Sequence, residues 1–480
     1  MFPPLNNTFF TVMKKSWEIE NFLTHNNGRL TIDGVDSVEL AETYGTPLFV
    51  FSESRIVNNI NRIFAIKDKI ECPLKVCYAA KAMSTLGILR AIRRAGADIE
   101  VNSGGELWKA LRTGFQSSQI IFNGTSKEEW EIELAIKNNI YAIQADSVFE
   151  LELIEKSASR LKQRANVSLR LVPEIESKTH SGLQTALSTS KFGMMPEEAF
   201  EAFARYRQSD YVNLSGIHLH IGSQNPDPTV YEEAFFETYQ SLCRIHRETG
   251  ILIEHINLGG GFPVTYLRDN FSPEEMNPEQ QHLYSAGYEP AEALGAAWNR
   301  VITAAKADNN EQLLKGTTLL LEPGRSIIAD AGICLTTVRN AKQRPSRNHP
   351  GGREHWLLTD AGFNILLSME TYKWYYHLIS AGRAGEMHNA PYKLAGPLCD
   401  GGDVYFDVEG MHRLPEFRLL PENIRPGEVL ALLNCGAYSL AQASQYNGRP
   451  LPPVILITKK REIQVIRIRE TLEDLIRGEI

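Results

Sequence analysis

The sequence predicts an α/β protein, a (β/α)₈ TIM barrel joined to a mainly β domain. Three observations predict this fold: the length, an alternation of short apolar runs with amphipathic stretches, and a change near residue 326 to β-favouring segments interrupted by Gly and Pro. At 480 residues, 43% of them hydrophobic and 22% charged, the chain is long enough to form two or more domains with buried cores.

The barrel is predicted for residues 47–325, where β-favouring runs alternate with helix-favouring stretches, as in a parallel sheet with crossover helices. Eight predicted strands span 74–78, 98–102, 119–122, 140–144, 167–172, 214–220, 252–257 and 318–322. Predicted helices include 84–95, 126–138, 146–160, 195–207, 229–248 and 287–308, and Asp146 and Ser147 are suited to cap the third of these. Barrels of this kind carry their chemistry at the C-terminal ends of the strands.

The second domain is predicted for residues 326–480, where Val/Ile/Leu/Tyr-rich segments are interrupted by Gly and Pro. The segment before the barrel, residues 1–46 with GRLTIDGVDS, and the run TPLFVFS that follows are also strand-like. We therefore expect a discontinuous β domain made of residues 1–46 and 326–480.

Composition excludes several classes of function. A net charge of -8 and a pI near 5.9 give no broad positive field for nucleic acid, and six scattered cysteines indicate neither a disulfide framework nor a zinc site. No apolar run approaches ~18 residues, and the first residues lack the basic and apolar regions of a secretion signal. We expect a cytoplasmic protein that binds neither nucleic acid, nor membrane, nor metal.

Polar side chains follow most of the predicted strands and should meet at one mouth of the barrel. They are Lys81, Glu100, Asn123, Arg170, His220, Gly259 to Gly261 and Glu322 to Arg325. Lys81 ends an apolar strand in the run YAAKA, and burial there would lower its pKa and supply the neutral amine that a Schiff base requires. By itself, a strand-end lysine is more often a solvated surface residue.

Two loops in this set suit a phosphate group. Gly259-Gly260-Gly261 follows one strand and Glu322-Pro-Gly324-Arg325-Ser follows the next. Glycine runs expose backbone N–H groups, and an arginine adds charge-assisted hydrogen bonds. A lone glycine run is more often a flexible turn, but barrels commonly bind phosphate at the loops after strands seven and eight, which favours the phosphate interpretation here.

Two further motifs carry reactive side chains. His218 and His220 share a strand face, and the absence of matching ligands favours a ring-stacking role for His220, with Ser223 donating to phosphate, over a zinc pair. Cys399 lies beside Asp400 in a glycine-rich loop of the β domain. A free cysteine is usually a small buried hydrophobe, but this setting favours an acid or a substrate contact.

Seven ordered motifs resemble the fold-type III pyridoxal-phosphate decarboxylases, the diaminopimelate, ornithine and arginine decarboxylases related in fold to alanine racemase. They are VNSGGEL (101–107), SKFG (190–193), HLHIGSQ (218–224), NLGGGF (257–262), EPGRS (322–326), DAGFN (360–364) and YNGRP (446–450), and the diaminopimelate branch is the nearest match. The resemblance implies an amino-acid α-decarboxylase that uses pyridoxal 5'-phosphate.

The resemblance also implies roles for single residues. Lys81 matches the Schiff-base lysine, His220 the ring-stacking histidine and Glu322 the carboxylate that pairs with the pyridine nitrogen. Ser223, Gly259 to Gly261, Gly324, Arg325 and Tyr438 match phosphate-binding groups, and we add Glu100 and Arg170 to the cofactor site. Cys399 matches a cysteine supplied by a neighbouring subunit, which implies a homodimer with shared active sites and makes Cys399 the candidate acid for reprotonating Cα.

The sequence departs from the diaminopimelate pattern around the substrate. Ser368 and Met369 stand where those enzymes have an Arg-Pro pair whose arginine holds a substrate carboxylate, and Asp400 replaces a glutamate. An aromatic run that includes Tyr372 and Trp374 could line a changed pocket or belong to the core. We therefore expect a diverged substrate, such as a citryl-amino acid of siderophore synthesis, contacted by Ser368, Tyr372, Cys399 and Asp400.

Three alternatives remain at this point. They are diaminopimelate decarboxylation in lysine synthesis, a non-catalytic regulator with the decarboxylase fold, and a racemase. Glu322 argues against racemisation, because a carboxylate keeps the pyridine nitrogen protonated and the electron sink deep, whereas alanine racemases place an arginine there.

Overall fold

The computed structural model describes residues 15–172, 179, 189–268, 276–346 and 352–480. A small antiparallel sheet opens the chain, formed by β1 (Leu23–Asn26), β2 (Arg29–Ile32) and β3 (Val35–Asp36). Helix α1 (Ser37–Tyr44) follows, capped by the Asp36 side chain, which accepts hydrogen bonds from the backbone N–H groups of Val38 and Glu39.

Eight parallel strands close into the predicted barrel. They are β5 (Leu74–Ala79), β6 (Asp98–Val101), β7 (Ile120–Phe122), β8 (Ala142–Ala145), β9 (Ala165–Arg170), β10 (Val212–His218), β11 (His255–Asn257) and β12 (Thr318–Leu321). Each overlaps one predicted strand, and β12 pairs with β5 to complete the ring. The strands are almost wholly buried because helices cover the barrel from outside.

The helices of the barrel alternate with its strands. They are α2 (Glu53–Phe64), α3 (Leu86–Arg94), α4 (Gly104–Arg112), α5 (Glu129–Lys137), α6 (Val148–Leu161), α7 (Pro196–Tyr206), α8 (Thr229–Thr249), α9 (Pro278–Leu283), α10 (Pro290–Ala307), α11 (Glu311–Lys315) and α12 (Arg325–Ile328). Ser147 caps α6 as predicted, by accepting a hydrogen bond from the Glu150 N–H, whereas Asp146 turns towards the barrel mouth.

Within the described residues, the second domain is built on a nine-stranded sheet. Its strands are β4 (Leu48–Ser52), β13 (Gly332–Pro345), β14 (Arg353–Thr359), β15 (Leu378–Ser380), β16 (Ala390–Ala395), β17 (Arg418–Leu420), β18 (Val429–Leu432), β19 (Val454–Ile457) and β20 (Ile463–Arg467). Short helices α13 (Leu367–Thr371) and α14 (Leu472–Leu475) lie between or after them.

Strand β4 shows where the boundary between the two domains lies. It pairs antiparallel with β13 and parallel with β19, so residues 48–52 belong to the β sheet although they lie within the predicted barrel range. We therefore propose a barrel domain that starts at α2, near residue 53 instead of 47. No helix within the described ranges is long and apolar enough to cross a membrane.

Candidate active site

A cavity of about 460 Å³ opens at the C-terminal ends of the barrel strands, where the second domain covers them. The barrel contributes Lys81, Asn102, Asn123, Gly124, Thr125, Arg170, Phe192, His218, His220, Ser223, Glu322 and Arg325, and the β domain contributes Ser368, Tyr372, Tyr438 and Gln442. Six members of the set predicted from the strand ends line this cavity, namely Lys81, Asn123, Arg170, His220, Glu322 and Arg325, whereas Glu100, Gly259 to Gly261 and Gly324 are not among its lining residues.

Lys81 follows β5 and projects into this cavity, so its side chain is solvent-accessible although protein surrounds it. Burial disfavours its charge, but Glu100, Tyr438 and Glu322 outweigh burial and hold the pKa of Lys81 above its usual 10.5. The sequence-based expectation of a lowered pKa is therefore wrong for the chain without cofactor. The amine starts as an ammonium ion and has to lose a proton before it can act as a nucleophile.

Glu322 lies at the floor of the cavity and is held by two amides. The Asn257 side chain donates to Glu322 Oε1 at 2.6 Å, and Asn123 Nδ2 lies 3.0 Å from both carboxylate oxygens. Asn123 also donates to Glu100 at 2.8 Å and so bridges the two acids. Burial and the neighbouring Glu100 raise the pKa of Glu322 to about 7, against the lowering effects of Asn257, Lys81 and Asn123.

The two histidines of the predicted motif lie beside this acid pair. His218 Nε2 lies 3.5 Å from Glu322, and the His220 Nδ1 accepts a hydrogen bond from the Gly260 N–H at 3.2 Å. Burial, together with nearby cations, lowers the pKa of both rings well below the usual 6.5. Both imidazoles are therefore neutral near pH 7. Among the described residues, no group of three or more His, Cys, Asp or Glu side chains could hold a metal ion.

The glycine run is required for space. A Cβ on Gly259 would lie 2.3 Å from His220 Nδ1, and one on Gly260 would lie 2.4 Å from the Glu322 carbonyl oxygen. The N–H groups of Gly259 and Gly260 donate to Asn257 and His220, so neither is free for a ligand in this conformation. The absence of side chains at these glycines thus lets the backbone approach His220 and Glu322 closely.

Arg325 sits at the border of the two domains. Its Nε donates to Ser223 Oγ at 3.2 Å, and its guanidinium lies over the rings of Trp374 at 4.2 Å and Tyr438 at 4.7 Å. Ser223 accepts this bond and keeps its own hydroxyl proton to donate. A Cβ on the neighbouring Gly324 would lie only 3.1 Å from the Cβ atoms of Ala79 and Ala82. The absence of a side chain at Gly324 therefore lets this loop approach the segment that carries Lys81.

The predicted substrate residues fall into two groups. Ser368 and Tyr372 line the cavity, and Ser368 Oγ donates to Gln442 at 3.3 Å. Cys399 and Asp400 are exposed on a loop of the β domain and do not line this chain's cavity. The rest of the aromatic run, Trp374 to Tyr376, is fully buried and belongs to the core.

Sequence reasoning missed several residues of the site. Asn102, which lines the cavity, lies two residues after Glu100, and Asn257, which holds Glu322, is the first residue of the NLGGGF motif. Both are therefore next to residues that the sequence analysis had identified. Gln442 had no such signal, because its place depends on how the β domain packs on the barrel.

The comparisons with known proteins are decisive for the family. A family model described as pyridoxal-dependent decarboxylase, pyridoxal binding domain, matches residues 57–329, more than half of the chain. This chain belongs to that family. It is a pyridoxal-phosphate-dependent carboxy-lyase with an alanine racemase-like barrel and a mainly β second domain.

Relatives match this decarboxylase over nearly its whole length. The diaminopimelate decarboxylase of Methanocaldococcus jannaschii is 36% identical and the alignment covers 95% of each chain, and that of Bacillus subtilis is 30% identical, covering 94% of this chain and 95% of the relative. The crystal structure of the M. jannaschii enzyme in complex with L-lysine has a TM-score of 0.81 at 33% identity, covering 96% of this chain and 98% of that one.

The cavity fits pyridoxal 5'-phosphate. It offers an amine, a floor carboxylate with a raised pKa, a neutral imidazole and an arginine beside a hydroxyl. Several buried polar atoms around it make no hydrogen bond within the described residues, among them Glu100 Oε2, Asn123 Oδ1, His218 Nδ1 and Ser326 Oγ. Buried polar groups are normally paired, so these atoms suit a site that a polar ligand completes.

Proposed function

We propose that this decarboxylase acts on diaminopimelate and releases CO₂ to leave lysine. The observation that carries the decarboxylase chemistry is the buried Glu322, held by Asn123 and Asn257 at the floor of the cavity that contains Lys81. The choice of substrate rests on relatives named diaminopimelate decarboxylase that cover about 95% of the chain and on related structures that contain L-lysine.

The cofactor is held by residues of both domains in this proposal. Lys81 would carry it, His220 would pack on its ring, and Ser223, Arg325 and Tyr438 would bind its phosphate. Gly259 to Gly261, Gly324, Glu100 and Arg170 would complete the site. Bound pyridoxal phosphate supplies an electron sink for the pair released when a carboxylate leaves as CO₂.

Glu322 controls the proton at the ring nitrogen. With the cofactor bound, the carboxyl of Glu322 would share a proton with that nitrogen, and the side-chain amides of Asn123 and Asn257 hold this carboxyl in place. The neutral His218 and His220 place no competing positive charge on the floor, so the electron sink depends on Glu322.

In this proposal, Cys399 of a partner subunit donates the final proton to the Cα of the substrate. The exposed position of Cys399 and Asp400, away from this chain's cavity, is what such an arrangement requires. We therefore propose a two-fold homodimer in which each active site combines Lys81 of one chain with Cys399 of the other.

The diverged-substrate alternative has one observation in its favour. The wall formed by Ser368, Tyr372 and Gln442 carries no cation among the described lining residues, although an arginine would hold a distal carboxylate there. The reported relatives give the siderophore hypothesis no support, and Tyr372 and the partner's loop can still bind a distal group by neutral hydrogen bonds.

The test supplies purified protein and pyridoxal phosphate with meso-diaminopimelate, and measures CO₂ and lysine. Turnover in the usual enzymatic range, on the order of 1 to 1,000 per second, supports the proposal. If diaminopimelate is inert while another amino acid or conjugate releases CO₂, the substrate assignment is wrong and the decarboxylase chemistry stands. If no amino acid releases CO₂, the regulator alternative replaces both.

A further inference from the structure

Lys127 is a buried lysine in the loop between β7 and α5, outside the cavity. Its side chain is 1% exposed, and its ammonium group donates to three acceptors, the carbonyl oxygens of Gly124 at 2.7 Å and Gln144 at 2.8 Å and the Glu150 carboxylate at 2.7 Å. Three acceptors use all three ammonium protons. A fully satisfied buried ion pair of this kind fixes the elements it joins.

The hydrogen bond from Lys127 to Gly124 connects this buried pair with the floor of the active site. Gly124, which Lys127 holds, has φ +117°, and a Cβ there would lie 2.8 Å from the Asn102 carbonyl oxygen. The residue before it is Asn123, whose backbone N–H donates to Val101 and whose side chain bridges Glu100 and Glu322. Lys127 therefore fixes the turn that aims the Asn123 amide.

The other side of this network reaches Arg170 and Phe192, which line the cavity at the end of β9 and in the loop that follows it. Glu150 Oε2 accepts the Asp146 N–H at 2.8 Å, and Asp146 Oδ1 in turn accepts the Gly193 N–H at 3.0 Å and lies 3.9 Å from Arg170. Arg170 stacks on Phe192 at 4.2 Å, and both line the cavity. The contact thus extends across three successive strand-end loops of the barrel.

We propose that the Lys127–Glu150 pair is a positioning pair that sets the shape of the cofactor site. It does so from outside the cavity, by holding Asn123 against Glu322 on one side and Arg170 and Phe192 on the other. Neither Lys127 nor Glu150 lines the cavity. Cofactor affinity is measured without substrate, so the test is independent of which amino acid the enzyme decarboxylates.

The test compares Lys127→Met with Lys137→Met, the same change at an exposed lysine of α5, whose ion pair with Glu133 spans one helical turn. Apoprotein of each is titrated with pyridoxal phosphate, following the visible absorbance of the bound cofactor. Hydrogen exchange of the apoproteins is measured for the segments 120–125 and 190–195. Because Lys127→Met leaves Glu150 buried without its partner, a Lys127→Met/Glu150→Gln variant is measured in parallel.

We expect Lys127→Met and the double variant to bind the cofactor more weakly, roughly 10- to 100-fold, by analogy with the outer partners that orient metal ligands. Both segments should exchange faster while the other barrel strands keep their protection, although the three hydrogen-bond acceptors of the Lys127 ammonium all lie outside 190–195. Lys137→Met should match the unmodified protein.

Two results would overturn the proposal. One is a folded Lys127→Met or double variant with unchanged cofactor affinity. The other is loss of protection across the whole barrel, or failure of both variants to fold, which would make the pair a stability element without a positioning role.

Discussion

Replacing Glu322 with glutamine should make the apoprotein more stable at neutral and higher pH. Glu322 keeps its proton in the folded chain up to about pH 7, but an unfolded chain loses it near 4.5. The folded state therefore binds more protons in this window, and its stability falls as the pH rises from 4.5 through 7. Glutamine carries no charge at any pH, so Glu322→Gln removes this loss.

The size of the effect follows from the shift. Moving the pKa from 4.5 to about 7 corresponds to a loss of about 3 kcal/mol of stability above pH 7, of which roughly 2 to 3 kcal/mol develops between pH 5 and pH 8. The amide of glutamine disturbs the hydrogen bonds from Asn123 or Asn257, but that cost does not depend on pH. The difference between the two proteins should therefore grow with pH by this amount.

Urea unfolding of the apoproteins at a series of pH values measures this difference, with the protein concentration held constant. Glu237→Gln, at an exposed position of α8, is the matched control and should follow the unmodified chain at every pH. If the difference between Glu322→Gln and the unmodified chain is constant from about pH 5 to pH 8, Glu322 titrates normally in the folded protein, and the argument for its role at the ring nitrogen fails.

Three further predictions concern the cofactor and the dimer. Borohydride reduction should attach the cofactor to Lys81 and to no other residue, seen by peptide mass, and a Lys81→Ala protein that still turned over at full rate would contradict the assignment. Gly259→Ala should weaken cofactor binding roughly tenfold or more, the equivalent of about 1.4 kcal/mol, because its Cβ meets His220 at 2.3 Å, whereas Gly96→Ala, at a similar φ of +88° with open space around it, should leave affinity unchanged. Mixing inactive Lys81→Ala and Cys399→Ala chains should restore about one quarter of full activity by random pairing in a two-fold dimer, and a mixture as inactive as its components would exclude shared sites.

Periodicity and strand-end chemistry predicted most of the fold and most of the cavity. All eight barrel strands overlap their predicted ranges, since each is a short apolar run between turn signals. Helix α4 is one of the elements that the predicted helices do not include, and it starts with two glycines. Gly104 is there because a Cβ would lie 2.4 Å from the Trp130 ring, a tertiary reason that no local pattern contains.

The remaining differences come from long-range packing. The direction of the Lys81 pKa depends on Glu100 and Glu322, which belong to other strands, so a desolvation argument made along the sequence gave the wrong sign. In the aromatic run, Tyr372 lines the cavity and Trp374 lies in the core, where it packs on Arg325 of the barrel. This contact between the two domains cannot be read from the local sequence. Gln442 also lines the cavity through the packing of the β domain on the barrel.

Strand β4 has a consequence for how the protein is made. Its five residues are completely buried in the sheet, but both of its partners, β13 and β19, lie nearly three hundred residues or more further along the chain. At a synthesis rate of about 5 to 20 residues per second, this apolar segment leaves the ribosome roughly 15 to 60 seconds before β13 exists to cover it. The whole barrel is synthesised in that interval, so β4 stays unpaired until β13 is made, and the sheet of the second domain is completed only when β19 has been made.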